Sequence, residues 1–147
     1  MDGEYKIHEG SNYRKITSGF SCIKIKVGAL KFESELQLIK EIRKDFAHKD
    51  LEIRLDANGA FKTNEALEKL ERLSEFSIHS IEQPIKKNQW QEMAKLCQLS
   101  PIPLALDEEL RGRNFNKVDL LNTIKPNDLI LKPSLLGGFK AVSYTHL

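Results

Sequence analysis

Three acidic residues each stand where a short apolar run gives way to a polar turn: Leu55-Asp56-Ala57-Asn58-Gly59, Ile81-Glu82-Gln83-Pro84 and Leu106-Asp107-Glu108-Glu109. Brought together, Asp56, Glu82 and Asp107 would repel one another and raise one another's pKa unless a cation neutralised them. Hard oxygen ligands in that number suit Mg²⁺, or Mn²⁺ in its place, and leave positions for water or substrate oxygens. Lysines flank the acids. Lys24 and Lys26 lie two apart in Cys22-Ile23-Lys24-Ile25-Lys26-Val27, so on a strand both point to one face, and Lys132 ends the apolar run Leu129-Ile130-Leu131. A metal makes the carbon beside a bound carboxylate a stronger acid, and a lysine with a lowered pKa can remove that carbon's proton. Taken singly, each acid could sit in a solvated loop and the two lysines on a solvated edge strand. Three acids in phase across successive strands favour the metal.

The elements that must position these residues alternate along the chain. Cys22 to Val27 has strand composition and stops at Gly28, after which Phe32, Leu36, Ile39, Ile42 and Phe46 recur at helical spacing. Leu51 to Leu55 is a second strand. Asn64 to Phe76 follows as a helix, with Ala66, Leu67, Leu70 and Leu73 on one side and Thr63 as its N-cap. Ile78 to Ile81 is a short third strand, and Trp90, Met93, Ala94 and Cys97 mark the next helix. Pro103 to Leu106 is a fourth strand, Val118, Leu120, Leu121 and Ile124 form a short helix, and Leu129 to Lys132 is a fifth strand.

Strands joined through helices are parallel neighbours with right-handed crossovers, which leaves a barrel or an open doubly wound sheet. Every strand here ends in polar or ionisable residues, the pattern of a barrel that draws its site from many strand ends. A complete barrel takes about 250 residues, so residues 21–140 are expected to form an α/β fold that is an incomplete (β/α) barrel. Residues 1–20 read as a remnant ahead of it. Gly137-Gly138-Phe139-Lys140 begins a helix that residues 141–147 do not continue, and that tail reads as non-native.

The bulk properties exclude several classes of function. In 147 residues, 23 basic and 21 acidic side chains leave a formal charge of +2, too weak a field for nucleic acid or an anionic membrane surface. Lys86-Lys87 reads as a solvated turn and Lys125 as ordinary surface. Cys22 and Cys97 lack CxxC spacing and read as buried reduced thiols of a reducing compartment. No apolar run approaches the roughly 18 residues that cross a bilayer, so a cytoplasmic protein is expected. The four histidines show no zinc-ligand spacing, and there is neither a GxGxxG nor a Walker pattern. Nothing in the sequence signals an oligomeric state.

Together these residues resemble the motifs of the enolase superfamily, whose Lys-plus-Mg²⁺ sites are a documented pattern. Ile23-Lys24-Ile25-Lys26 is similar to its Lys-x-Lys motif, and Asp56-Ala57-Asn58-Gly59, Glu82-Gln83-Pro84 and Leu106-Asp107-Glu108 to its three metal-ligand segments. The run from Ile130 to Gly138 resembles the sixth-strand segment of the o-succinylbenzoate synthase family. The likeness covers Ser18 to Lys140, about strands 2 to 6 of the barrel.

The resemblance implies a role for each residue. Asp56, Glu82 and Asp107 would bind Mg²⁺, Lys26 would remove the proton α to a substrate carboxylate, and Lys24 would assist electrostatically near that carboxylate. Lys132, across the ring, would stabilise the resulting enediolate. Ser134 and the amides of Gly137 and Gly138 would contact substrate carboxylates, and Asn58 and Glu108 would orient a ligand or a lysine from behind. The implied reaction is Mg²⁺-dependent dehydration of 2-succinyl-6-hydroxy-2,4-cyclohexadiene-1-carboxylate to o-succinylbenzoate, a carbon–oxygen lyase step of menaquinone biosynthesis on a small carboxylate. Racemases of N-acylamino acids and dipeptide epimerases of the same superfamily are the alternative, and an inactive fragment is a third reading. The resemblance also implies a capping domain, a first strand and two last strands outside this chain.

Overall fold

The computed structural model of the protein describes residues 19–111 and 116–136. The expectations for Gly137 and Gly138, for residues 1–18 and for the tail 141–147 lie outside the described residues.

Five strands alternate with helices: β1 (Cys22–Lys26), α1 (Phe32–Asp45), β2 (Glu52–Asp56), α2 (Thr63–Ser74), β3 (Ser80–Glu82), α3 (Trp90–Leu99), β4 (Leu104–Leu106), α4 (Lys117–Ile124), β5 (Asp128–Leu129) and a short α5 (Pro133–Leu136). A single 3₁₀ turn, Glu108–Leu110, follows β4. The strands form one sheet in the order β1-β2-β3-β4-β5, every pair parallel. A doubly wound sheet reverses its strand order at a switch point. This order runs straight on without reversal, as in a barrel wall, although the five strands do not close into a full barrel.

Alternation along the strands decides what is buried. Ile23, Ile25 and Val27 are buried, whereas Cys22, Lys24 and Lys26 between them are exposed. The buried set meets apolar stripes from the helices, so Ile39 and Ile42 of α1, Leu70 and Leu73 of α2 and Met93 of α3 join Ile53, Leu55, Ile81, Leu104 and Leu106 in one core. At the amino-terminal end of the sheet Arg43 fastens α1 to its neighbours. Its guanidinium donates to the carbonyls of Phe76 at 2.7 Å, Leu51 at 2.6 Å and Ser77 at 2.9 Å.

Three expectations are corrected. Lys62 occupies the N-cap of α2 and Thr63 is its first helical residue, with no side-chain capping bond. The fifth strand is only Asp128–Leu129, so Lys132 lies beyond it in the turn that leads into α5, where Leu135 N donates to Lys132 O at 2.8 Å. Cys22 shares the face of Lys24 and Lys26 and is exposed, because strand parity outweighs its hydrophobicity, and Cys97 is only partly buried. Lys86, Lys87 and Lys125 are exposed as expected. Among the described residues, no helix is long and apolar enough to cross a membrane.

Candidate active site

Register brings the ionisable residues together. Lys26 pairs with Asp56 and Asp56 with Glu82 across β1, β2 and β3, and paired residues of neighbouring parallel strands project to the same side. Asp56 and Glu82 end their strands, and Asp107 follows β4 directly. All three carboxylates therefore stand at the carboxyl end of the sheet, and all three are buried, Glu82 to 2% exposure and Asp107 to 1%.

Two glycine positions shape the loops around them. Gly28, just past β1, has φ +90°, and a Cβ there would come within 2.3 Å of the Ala60 side chain, so the first loop can pass the second only without one. Gly59 has φ +74° and its hydrogen faces the Lys86 backbone at 3.0 Å from where a Cβ would stand. The first loop is also held from below, because Glu35, buried in α1, accepts from Gly28 N at 2.7 Å and Leu30 N at 3.0 Å.

Cationic side chains interleave with the acids. Lys26 Nζ lies 3.4 Å from Asp56 Oδ2 and donates to Asn58 Oδ1 at 2.5 Å, and Asn58 Nδ2 in turn donates to Glu108 Oε1 at 3.1 Å. Lys24 Nζ stands 3.4 Å from Asp56 Oδ2 and 2.8 Å from Glu82 Oε2. On the far side Lys132 donates to Asp107 Oδ2 and lies 3.8 Å from Glu82 Oε1. The row thus runs from Lys26 at one end to Lys132 at the other, with the carboxylates between them. Ser134 lies exposed in α5, two residues past Lys132.

Burial and neighbours push the acids apart in pKa. Burial raises Glu82, the closeness of Asp107 and Asp56 adds to this, and the bond from Lys24 offsets only part of it. Burial also works to raise Asp107, but bonds from Arg111 and Lys132 outweigh it and hold that carboxyl below its usual range. Burial disfavours the Lys24 ammonium, yet Glu82 and Asp56 more than compensate and its pKa is raised.

As the side chains stand, no three His, Cys, Asp or Glu side chains among the described residues close around one point. Each carboxylate is drawn onto an ammonium or guanidinium instead. The donor set nonetheless fits a divalent cation. Oε1 of Glu82 is fully buried and has no hydrogen-bond donor among the described residues, the Lys132 ammonium standing off at 3.8 Å, and a buried carboxylate oxygen left without a direct donor leaves room for a cation to bind it.

The sequence alone did not single out Arg111, Gln83 or Glu109. Arg111 binds Asp107 through two nitrogens, Nε to Oδ1 at 3.2 Å and Nη2 to Oδ2, and reaches Glu108 Oε1 at 3.2 Å. Its position four residues after Asp107 was the available signal, since that spacing brings charges together across a helical turn. Gln83 and Glu109 are polar and buried, and no spacing rule marks them.

The geometry agrees with the comparisons. The chain is 52% identical over 126 residues to the o-succinylbenzoate synthase of Desulfotalea psychrophila, an alignment covering 85% of this chain and 34% of that relative. Its fold superposes on the crystal structure of MenC from the same organism with a TM-score of 0.88 at 45% identity, covering 98% of this chain and 40% of that one. A racemase from Streptomyces coelicolor with bound magnesium shares the fold, with a TM-score of 0.84 at 18% identity over 99% of this chain and 40% of that one. The chain therefore spans about a third to two fifths of the length of these proteins. The family described as enolase C-terminal domain-like matches residues 11–118. With its sequential parallel strands and an acid at three successive strand ends, the chain belongs to the enolase C-terminal domain-like family.

Proposed function

We propose that the protein to which this chain belongs is an o-succinylbenzoate synthase, which dehydrates 2-succinyl-6-hydroxy-2,4-cyclohexadiene-1-carboxylate with the help of Mg²⁺. The observation that carries this reading is the row of three buried carboxylates at successive strand ends, closed at one end by Lys26 and at the other by Lys132. The 52% identity to a synthase supports the choice of substrate.

Asp56, Glu82 and Asp107 would hold the dication, which when bound supplies positive charge beside the substrate carboxylate and so acidifies the adjacent carbon. Lys26, 70% exposed beside Asp56, would take the α-proton in its neutral form. Asn58, bonded to both Lys26 and Glu108, fixes where that amine points. Lys24 neutralises Glu82 and Asp56 rather than facing solvent alone. Lys132 would present an ammonium to the negative charge that develops as the proton leaves, and departure of the β-hydroxyl as water, with the proton that Lys26 took, would complete an aromatic ring. Ser134 and, beyond the described residues, Gly137 and Gly138 would contact the carboxylates of the substrate. A small carboxylate as partner and a location in the cytoplasm complete the reading.

The test is Mg²⁺-dependent turnover of the cyclohexadiene substrate by the full-length protein carrying this segment. Formation of o-succinylbenzoate that stops on chelation supports the reading. A folded, metal-loaded protein that forms none of it, yet epimerises N-acylamino acids or dipeptides, would move the assignment within the family.

A further inference from the structure

Gln83 is completely buried, with 0% exposure, and its backbone lies in the left-handed region at φ 42°. That conformation disfavours side chains with a Cβ, so a glutamine held there in the core calls for a reason found in its contacts. Its carbonyl oxygen accepts from Gly59 N at 2.7 Å, in the loop that follows Asp56. Its side-chain Oε1 accepts from Asp107 N at 3.3 Å and from Glu109 N at 3.2 Å, in the loop that follows β4. Its Nε2 donates to Ile85 O at 3.0 Å and faces Glu109 Oε2 at 3.4 Å. Glu109, itself buried, spends both carboxylate oxygens on Asn88 N, at 2.9 and 3.1 Å.

One residue, adjacent to Glu82, is therefore bonded to all three loops that carry Asp56, Glu82 and Asp107. We infer that Gln83, with Glu109 as its partner, is a positioning residue that sets the spacing of the three carboxylates for a divalent cation. None of these bonds uses the polar atoms of the carboxylates themselves, so the clamp shapes the site without competing for the metal. This inference rests on the metal-binding reading given above. Groups of this kind, bonded behind a metal's ligands, commonly alter affinity by about 10- to 100-fold when removed.

The experiment measures Mn²⁺ binding to the full-length protein carrying this segment by calorimetry and by the electron paramagnetic resonance spectrum of the bound ion. Wild type, Gln83→Met and Glu109→Gln would be compared with Leu73→Ala, which opens a hole in the core under α2 with no bond to the three loops. Gln83→Met should weaken binding at least tenfold and broaden the spectrum. Glu109→Gln, which keeps an oxygen for Asn88 N, should stay within a few-fold of wild type, and Leu73→Ala should lower the melting temperature without moving the affinity. Should Gln83→Met not fold, Glu109→Ala removes the clamp's other half and should weaken binding several-fold. Wild-type affinity and spectrum in a folded Gln83→Met, or an equal loss of affinity in Leu73→Ala, would overturn the inference alone. No saturable Mn²⁺ binding by wild type, or saturable binding that is unchanged on replacing Asp56 or Glu82 by Ala, would overturn it together with the metal-binding reading.

Discussion

Lys24 reaches past β2 to place its ammonium 2.8 Å from Oε2 of Glu82, although the two residues sit on strands that do not pair with each other. The same ammonium stands 3.4 Å from Oδ2 of Asp56, on the strand between, which Lys26 also approaches at 3.4 Å. Lys24 is the chief influence lowering the pKa of a carboxyl that burial raises. Replacing Lys24 by Met should therefore shift the titration of Glu82 further upward, followed through the carbon-13 signal of its carboxyl. An unchanged midpoint would show that the contact does not persist in solution.

Stability should depend on pH in opposite directions at Glu82 and Asp107. The folded pKa of Glu82 is raised, so its contribution favours folding below the unfolded carboxyl value and is lost as pH rises through the folded one. Glu82→Gln should gain on wild type in thermal midpoint as pH rises from acid to neutral. The folded pKa of Asp107 is lowered, so its contribution is present above the unfolded value and is lost as pH falls through the folded one. Asp107→Asn should cost most at neutral pH, with a cost that fades in acid. Melting curves of the metal-free chain across pH measure both.

Removing the amine of Lys26 should separate chemistry from metal binding. In the full-length protein, Lys26→Ala is expected to lose about 10²- to 10⁴-fold in turnover, and exchange of the substrate's α-proton with solvent deuterium should stop. Mg²⁺ affinity should change little, because Lys26 contacts only one of the three carboxylates. Wild-type exchange in this variant would remove Lys26 from the role of base.

The core under the site can be probed independently. Ile39 is completely buried between α1 and the sheet, and Ile39→Ala should destabilise the chain by about 2–5 kcal/mol through lost burial and the cavity left behind. Urea unfolding monitored by circular dichroism reads the loss, and a value within experimental error of zero would mean that the packing around α1 is loose.

Much of this protein is determined locally and can be read from the chain. Runs such as Ile23, Ile25 and Val27 alternating with lysines, and the stripe from Leu36 to Ile42, specify strand and helix because burial of one face needs that period and no other. The same logic placed Asp56, Glu82 and Asp107 at strand ends on one edge of a parallel sheet. Tertiary structure decided what depends on contacts between segments. The fifth strand shortened to Asp128–Leu129 because pairing with β4, and not the apolar run to Leu131, sets its length. Cys22 came out exposed because its parity is that of the lysines. Gln83 and Glu109 became central only when three loops distant in sequence met at one buried point, since a hydrogen bond between such loops leaves no period or spacing in the chain.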